Sequence, residues 1–205
     1  KPILFRNEII GSTASIITKI YREYNVEIPS NIAALLLGAL ISDTLNLKSP
    51  TTTPQDHELA QYLSNLAGLE IEDFAKDIFE VTASLKKKSY KEIITQDIKK
   101  FTISGQHVMV SQVVVYEFSE VRKIVDDFHK GMDEYVKENY LDLLVVVFTS
   151  VSDNGSIILG AGDLKNAVTE AFPNKEGEKL SFFSDVVSRK NQIIPRLSVA
   201  IAQHI

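Results

Sequence analysis

The chain has 205 residues, is 44% apolar and 24% charged, and carries a formal net charge of −5. That length suits one large domain or two small ones of ordinary globular composition. Mild acidity gives no electrostatic footprint for nucleic acid or an anionic membrane, so an anionic ligand needs a local cluster of Lys and Arg.

There is no cysteine, which excludes disulfides and thiolate metal sites and is compatible with a cytoplasmic address. The longest apolar stretches, 32–41 and 141–148, fall short of the ~20 residues a membrane helix needs. The opening Lys1-Pro2-Ile3-Leu4-Phe5-Arg6-Asn7-Glu8 is too mixed and too short for a secretory signal. It lacks an initiator Met and reads as part of a longer protein.

In chain order, the first 85 or so residues predict helices. Ser12 or Thr13 caps a run with Ile16, Ile17, Ile20, Tyr21 and Tyr24 on one side. Pro29-Ser30 opens a second helix, apolar on nearly every side over 32–41, which predicts burial all round. Pro50-Thr51-Thr52-Thr53-Pro54 is a breaker and cap cluster. Leu59, Leu63 and Leu66 mark a third helix ended by Gly68. Ile71, Phe74, Ile78, Phe79 and Val81 mark a fourth.

At Ala83-Ser84-Leu85-Lys86-Lys87-Lys88-Ser89 the periodic apolar pattern stops, and a linker is expected over 84–89. Strands are predicted at 101–103 and 108–116, with Gly105 in the turn between them. Val121, Ile124, Val125, Phe128 and Met132 predict a helix over 119–138. The run 141–151 suits a strand covered on both faces. Asp153-Asn154-Gly155 is a hairpin signal into Ile157-Ile158-Leu159, and 182–187 is strand-like. Interleaved strands and helices predict an α/β unit with a mixed sheet.

Three places could carry chemistry. Asp43 closes the most apolar helix and precedes a polar loop, Asn46-Leu47-Lys48-Ser49-Pro50-Thr51. A carboxylate there reads either as a cap of the following turn or as an oxygen donor for Mg or Mn. Position alone favours the cap. Arg189 and Lys190 sit in Ser188-Arg189-Lys190-Asn191-Gln192-Ile193-Ile194-Pro195. Adjacent residues on a strand point to opposite faces, so the two reach one phosphate only from a loop or bulge. A fork and a point charge suit phosphate oxygens, although a solvated basic turn is the commoner use of such a pair. Asp97-Ile98-Lys99-Lys100-Phe101 holds a further basic pair, a weak signal alone. The four histidines, His57, His107, His129 and His204, show no ligand spacing. No Walker loop, Gly-rich dinucleotide fingerprint or nucleophile elbow appears.

Three segments, in order, resemble the family II (manganese-dependent, DHH superfamily) inorganic pyrophosphatases over essentially the whole chain. Phe5-Arg6-Asn7-Glu8 with Gly11-Ser12-Thr13-Ala14 resembles the segment after the DHH motif. Ile41-Ser42-Asp43-Thr44-Leu45 with Lys48-Ser49-Pro50-Thr51 resembles the last metal-binding motif. Ser188-Arg189-Lys190 with Gln192 and Pro195 resembles the C-terminal signature. The chain departs from the family pattern at Asn191, where a second Lys is usual, and at Asn46-Leu47, where Leu-Phe is usual.

The resemblance implies a mainly helical remainder of a DHH metal-binding domain at 1–83, a linker or hinge at 84–89, and an α/β substrate-binding domain with a mixed sheet at 90–205. It implies that Asp43 is a ligand of Mn2+ or Co2+, with Mg2+ alongside the substrate. It makes Lys99, Arg189 and Lys190 ligands of pyrophosphate, and Asp43, Arg189 and Lys190 the catalytic set, acting in a cleft between domains. Lys100 is the neighbour with which Lys99 is most easily confused. The family's other metal motifs are expected before Phe5, so this chain alone is expected to hydrolyse pyrophosphate negligibly. The parent is expected to be a cytoplasmic homodimer that engages neither nucleic acid nor membrane. The alternatives are another DHH phosphoesterase, such as an exopolyphosphatase or oligonucleotide phosphodiesterase, and a non-catalytic anion-binding module. Gly160-Ala161-Gly162-Asp163 lacks the His of the oligonucleotide-cleaving branch's Gly-Gly-Gly-His-type motif.

Overall fold

The computed structural model describes residues 3, 5–86, 88–174 and 180–204; Lys87 of the expected linker lies outside them. The chain divides into two units, Lys1–Val81 and Thr82–Ile205.

The first unit is built on helices. Ser12 caps α1 (Thr13–Glu23), its Oγ accepting from the Ala14 N–H at 3.1 Å. α2 (Ser30–Thr44) starts after Pro29 and packs along α1 and α3 (Pro54–Ala67). It buries Ala33, Leu37, Leu40, Ile41 and Thr44. The expectation of burial all round fails, because Leu35 is 70% exposed. Among the described residues of this unit, only one side of α2 is covered. Gly68 ends α3 in the left-handed region, φ +69°. α4 (Ile71–Thr82) buries Ala75 and Phe79 but leaves Val81 exposed.

Asp56 ties this unit together, although the sequence pattern marks it only as the third residue after a cap. It is fully buried and closes a capping box with Thr53. Its Oδ1 accepts from Ser15 Oγ (2.6 Å), and its Oδ2 from the N–H groups of Gly11 (2.9 Å) and Thr53 (2.8 Å) and from Thr53 Oγ1 (2.7 Å). Gly11 has to be small, since an added Cβ would meet Asp56 Oδ2 and Thr44 Cγ2 at 2.9 Å. Burial pushes the Asp56 carboxyl up, but the hydrogen bonds from Ser15, Thr53 and Gly11 outweigh it and hold it below its ordinary value.

The second unit is a mixed five-stranded sheet in the order β1-β2-β3-β4-β5 with helices on both faces. Leu85 enters its core, and the Leu85 N–H donates to Glu120 Oε2 at 2.8 Å. Ser89 and Glu92 form a capping box that starts α5 (Tyr90–Thr95), a helix the periodicity does not reveal. β1 (Ile98–Ile103) turns through Ser104 (φ +50°) and Gly105 (φ +82°) into β2 (Gln106–Val115). Two successive positive φ values match the twist of an antiparallel hairpin. α6 (Ser119–Asn139) then crosses over to β3 (Leu143–Ser150), which runs parallel to β2. Asn154 (φ +50°) turns β3 back into β4 (Gly155–Ala161). α7 (Lys165–Ala171), a three-residue edge strand β5 (Phe182–Ser184) and α8 (Ile194–Ala202) complete the unit.

β3 is buried along its whole length, as its apolar run predicts. Leu144, Val146 and Phe148 face one core with Val121, Val125, Phe128 and Met132 of α6. Leu143, Val145 and Val147 face a second core with Ala167, Val168, Leu197 and Ile201 of α7 and α8. Phe128 sits at the centre of the first, edge-on to Tyr90 (5.8 Å between centroids) and to Phe148 (5.3 Å). The strand-like 182–187 stretch stops early because Asp185 turns left-handed, φ +59°.

The packing generates two tests. Phe128→Ala is expected to destabilise the second unit by roughly 3–5 kcal/mol, read from its urea-unfolding midpoint; a change under about 1 kcal/mol would show that the aromatic cluster repacks without cost. Asp56→Asn removes the charge that four donors stabilise. Because the folded Asp56 is held below its unfolded value, its contribution is complete above the unfolded pKa and is lost as pH falls through the folded one. The stability gap between wild type and Asp56→Asn should therefore be flat at neutral pH and close below about pH 4. A gap that widens on acidification would reverse this assignment.

A cation cluster on one sheet face and a tethered carboxylate

Arg189 and Lys190 lie neither on a strand nor on a bulge. They open a π-helical turn, Arg189–Ile193, that runs directly into α8. Ser188 caps this turn by accepting from the Asn191 N–H (3.3 Å), and Gln192 staples the approach to it. Gln192 Oε1 accepts from the N–H groups of Val187 and Ser188 (both 2.9 Å), and its Nε2 donates to the Asp185 carbonyl (2.6 Å). The buried Val186 and Val187 have left the β ladder, so their carbonyls find side-chain donors instead. Ser156 Oγ donates to Val186 O (2.6 Å), and Gln112 Nε2 donates to Val187 O (2.9 Å) and to Thr149 Oγ1 (3.0 Å). No sequence motif marks Gln112, Thr149 or Ser156. Their one signal is a polar residue interrupting an otherwise apolar central strand.

Arg189 is 7% exposed. Its Nη1 donates to the carbonyls of Asp97 (2.6 Å) and Val110 (3.1 Å), and its Nη2 to Asp97 Oδ1 (3.0 Å) and Oδ2 (3.1 Å). Lys190, the next residue, is exposed.

The choice between Lys99 and Lys100 is a matter of alternation. Ile98 packs on the α6 side of β1, while Phe101 and Ile103 pack on the α8 side. Lys99 therefore shares the α8 face, opposite Val110 of β2, whereas Lys100 shares the other face, opposite Met109. Arg189 reaches the Val110 carbonyl from the α8 side, so the turn at 189–193 and the Lys99 side chain occupy the same face. Both lysines are exposed.

Asp43 stands in the last turn of α2 and is exposed. It does not cap the next turn. Leu45, Asn46 and Leu47 turn left-handed (φ +50°, +52° and +62°), and their backbone is satisfied without it. Asn46 N–H donates to Ile41 O (2.8 Å), Ser49 N–H to Thr44 O (2.8 Å), and Leu47 N–H to Thr44 Oγ1 (3.0 Å). Asp43 instead turns back, its Oδ2 accepting from Ser12 Oγ at 2.7 Å. Its Oδ1 has no protein donor among the described residues. Asp56 holds Gly11 beside Ser12, so the loop that orients Asp43 is fixed from beneath. Upstream, Arg6 forks onto Glu23 (2.6 and 2.8 Å) and reaches Glu8 (2.6 Å), which Lys19 also engages. Lys19 and Arg6 together hold the Glu8 carboxyl below its ordinary value.

Comparison with known proteins gives these segments a context. The DHHA2 domain model matches residues 76–200. A manganese-dependent inorganic pyrophosphatase of Bacillus subtilis is 36% identical over 203 residues, 99% of this chain and 66% of that protein. A cobalt-dependent inorganic pyrophosphatase of Clostridium perfringens is 38% identical over 204 residues, which is 37% of its longer chain. A crystal structure assigned to the family II inorganic pyrophosphatases, from Methanococcus jannaschii, superposes with a TM-score of 0.74 at 36% identity, covering 98% of this chain and 68% of that one. This chain thus spans about two thirds of the length of the Bacillus relative and of the solved structure. On these matches the chain belongs to the family II inorganic pyrophosphatases and carries their DHHA2 domain.

Proposed function

We propose that the full protein hydrolyses inorganic pyrophosphate to two orthophosphates with Mn2+ or Co2+, with Mg2+ accompanying the substrate. In this reading residues 1–83 belong to the metal-binding DHH domain, 84–89 join the two parts and 90–205 bind substrate. A cytoplasmic homodimer is the expected form of the parent. Among the described residues no helix is long and apolar enough to cross a membrane.

The observation that carries the reading is the placement of Lys99 and Arg189 on one face of the sheet, with Lys190 exposed beside Arg189. It supports a phosphate site within a domain whose relatives are named pyrophosphatases. Lys99 and Lys190 present compact ammonium charges to phosphate oxygens, and Arg189 presents a guanidinium held in place by the sheet. Such donors stabilise charge that builds on the transferred and leaving phosphates as the bridging bond breaks.

A divalent metal fits the first unit only as far as one oxygen donor. Asp43 Oδ1 is a hard ligand of suitable type. Among the described residues no group of three or more His, Cys, Asp or Glu gathers to hold an ion. When bound, the metal supplies Lewis acidity that activates the attacking water. What Asp43 itself does is hold an anionic oxygen in a set direction, through Ser12.

In the full-length parent, Arg189→Ala is expected to cost roughly 2–4 kcal/mol in transition-state binding, seen as a fall in kcat/KM for pyrophosphate. Wild-type kinetics would remove Arg189 from the site. The isolated 205 residues should show negligible turnover with Mn2+ present, since one carboxylate does not hold a dimetal centre. Turnover near that of the full-length enzyme would overturn the assignment of metal ligands.

A further inference from the structure

The geometry points to Asp97 as a positioning residue that fixes the direction in which Arg189 meets phosphate. This rests on the reading of Arg189 as a pyrophosphate ligand. A guanidinium has five N–H donors, and in this structure both Nη atoms are turned inward. Nη1 spans the carbonyls of Asp97 and Val110, and Nη2 meets both carboxylate oxygens of Asp97. The Nε–H makes no hydrogen bond among the described residues. The Nε–H is therefore the donor left for an anion, and Asp97 decides which way it points.

Asp97 engages Arg189 through two separate groups. Its carbonyl serves both the Gln112 N–H (3.0 Å) and Arg189 Nη1, and its carboxylate serves Nη2. The Arg189 side chain is 7% exposed and that of Asp97 54%. The cation is thus enclosed while its carboxylate partner stands at the rim. Burying a guanidinium is unfavourable without such a partner, so Asp97 also accounts for the depth at which Arg189 sits. Asp97 immediately precedes β1, and Lys99 is two residues on. One strand end therefore sets both cations on the same face, and their spacing is a property of the backbone rather than of two independent side chains.

The opposite role makes a contrary prediction. Were the Asp97 carboxylate a resting partner that substrate displaces, removing it would free Arg189 and tighten phosphate binding. As a positioning residue, its removal weakens binding, and an amide that keeps an acceptor for Nη2 restores part of the loss. The test uses the full-length protein with Asp97→Ala, Asp97→Asn, Arg189→Ala and the Asp97→Ala/Arg189→Ala double variant. The readouts are kcat and KM for pyrophosphate and the competitive inhibition constant of inorganic phosphate.

Asp97→Ala should lower kcat/KM by about 10- to 100-fold, the loss expected for a hydrogen bond to a charged group. Asp97→Asn should lie between it and wild type, and phosphate inhibition should weaken in the same order. The double variant should be no worse than Arg189→Ala alone, as for two residues acting through one contact. Tighter phosphate inhibition in both Asp97 variants, or losses that add in the double variant, would overturn the proposal. So would unchanged kinetics in Asp97→Ala while Arg189→Ala is crippled, which leaves the reading of Arg189 standing. Wild-type kinetics in Arg189→Ala would instead sink that reading itself. Should Asp97→Ala fail to fold, the Asp97→Asn and Arg189→Ala comparison carries the decision.

Discussion

Peptide groups that leave a β ladder inside a protein need new partners, and this constraint organises the cationic face. After Ser184 the chain stops pairing with β4, yet Val186 and Val187 remain buried. An unsatisfied buried carbonyl costs about 1–3 kcal/mol, so the short connection into α8 could not persist on apolar packing alone. Ser156, Gln112 and Gln192 supply the missing donors and acceptors. Because Gln112 and Ser156 stand on strands at the middle of the sheet, the connection inherits the rigidity of the core. The π-helical turn then starts from a fixed point, and so does Arg189.

The loop after Asp43 solves a comparable problem with strain. Three consecutive non-glycine residues in the left-handed region, Leu45 to Leu47, cost about 1–2 kcal/mol each by the usual steric argument. The turn persists because its N–H groups find the carbonyls of Ile41 and Thr44 and the Thr44 hydroxyl. Asn46 adds a bond from Nδ2 to Glu72 Oε2 (2.9 Å), and Asn tolerates this conformation better than most side chains. Since Thr44 and the backbone satisfy the turn, Asp43 is released from capping and is oriented by Ser12 from another helix.

How much of the fold is legible in the sequence depends on which signals are local. The 3.6-residue stripe of α6 and the unbroken apolar run of β3 are periodic and long, and both elements appear where they are expected. The hairpin turns at Gly105 and Asn154 carry their own backbone chemistry. α5 and α7 are one or two turns long, too short for a period to emerge, although the Ser89–Glu92 box is itself a local signal. The strand start at Ile98 is hidden because Lys99 and Lys100 interrupt the apolar pattern, and with it goes the fact that they face opposite ways. Buried polar residues such as Asp56, Gln112 and Ser156 are the least legible, since their partners lie 30 to 75 residues away in sequence. Asp43, Arg189, Lys190 and Lys99 are visible locally as a helix-end carboxylate and two basic pairs, but their roles as ligands of metal and pyrophosphate come from the family resemblance.

The different burial of the three cations bears on how such a face would treat a flexible, highly charged ligand. Lys99 and Lys190 are exposed, so each would lose side-chain entropy on closing on an oxygen. Arg189 has already lost that freedom to Asp97 and the two carbonyls, so a contact with it carries little further ordering cost. Under the proposed function, a fixed guanidinium would define where one phosphate oxygen lies, while the two exposed ammonium groups would adjust to the charge as it redistributes. The chain's formal net charge of −5 supplies no general attraction for an anion at this face. Local rigidity at Arg189, rather than overall charge, is then what distinguishes it from any other basic patch on the surface.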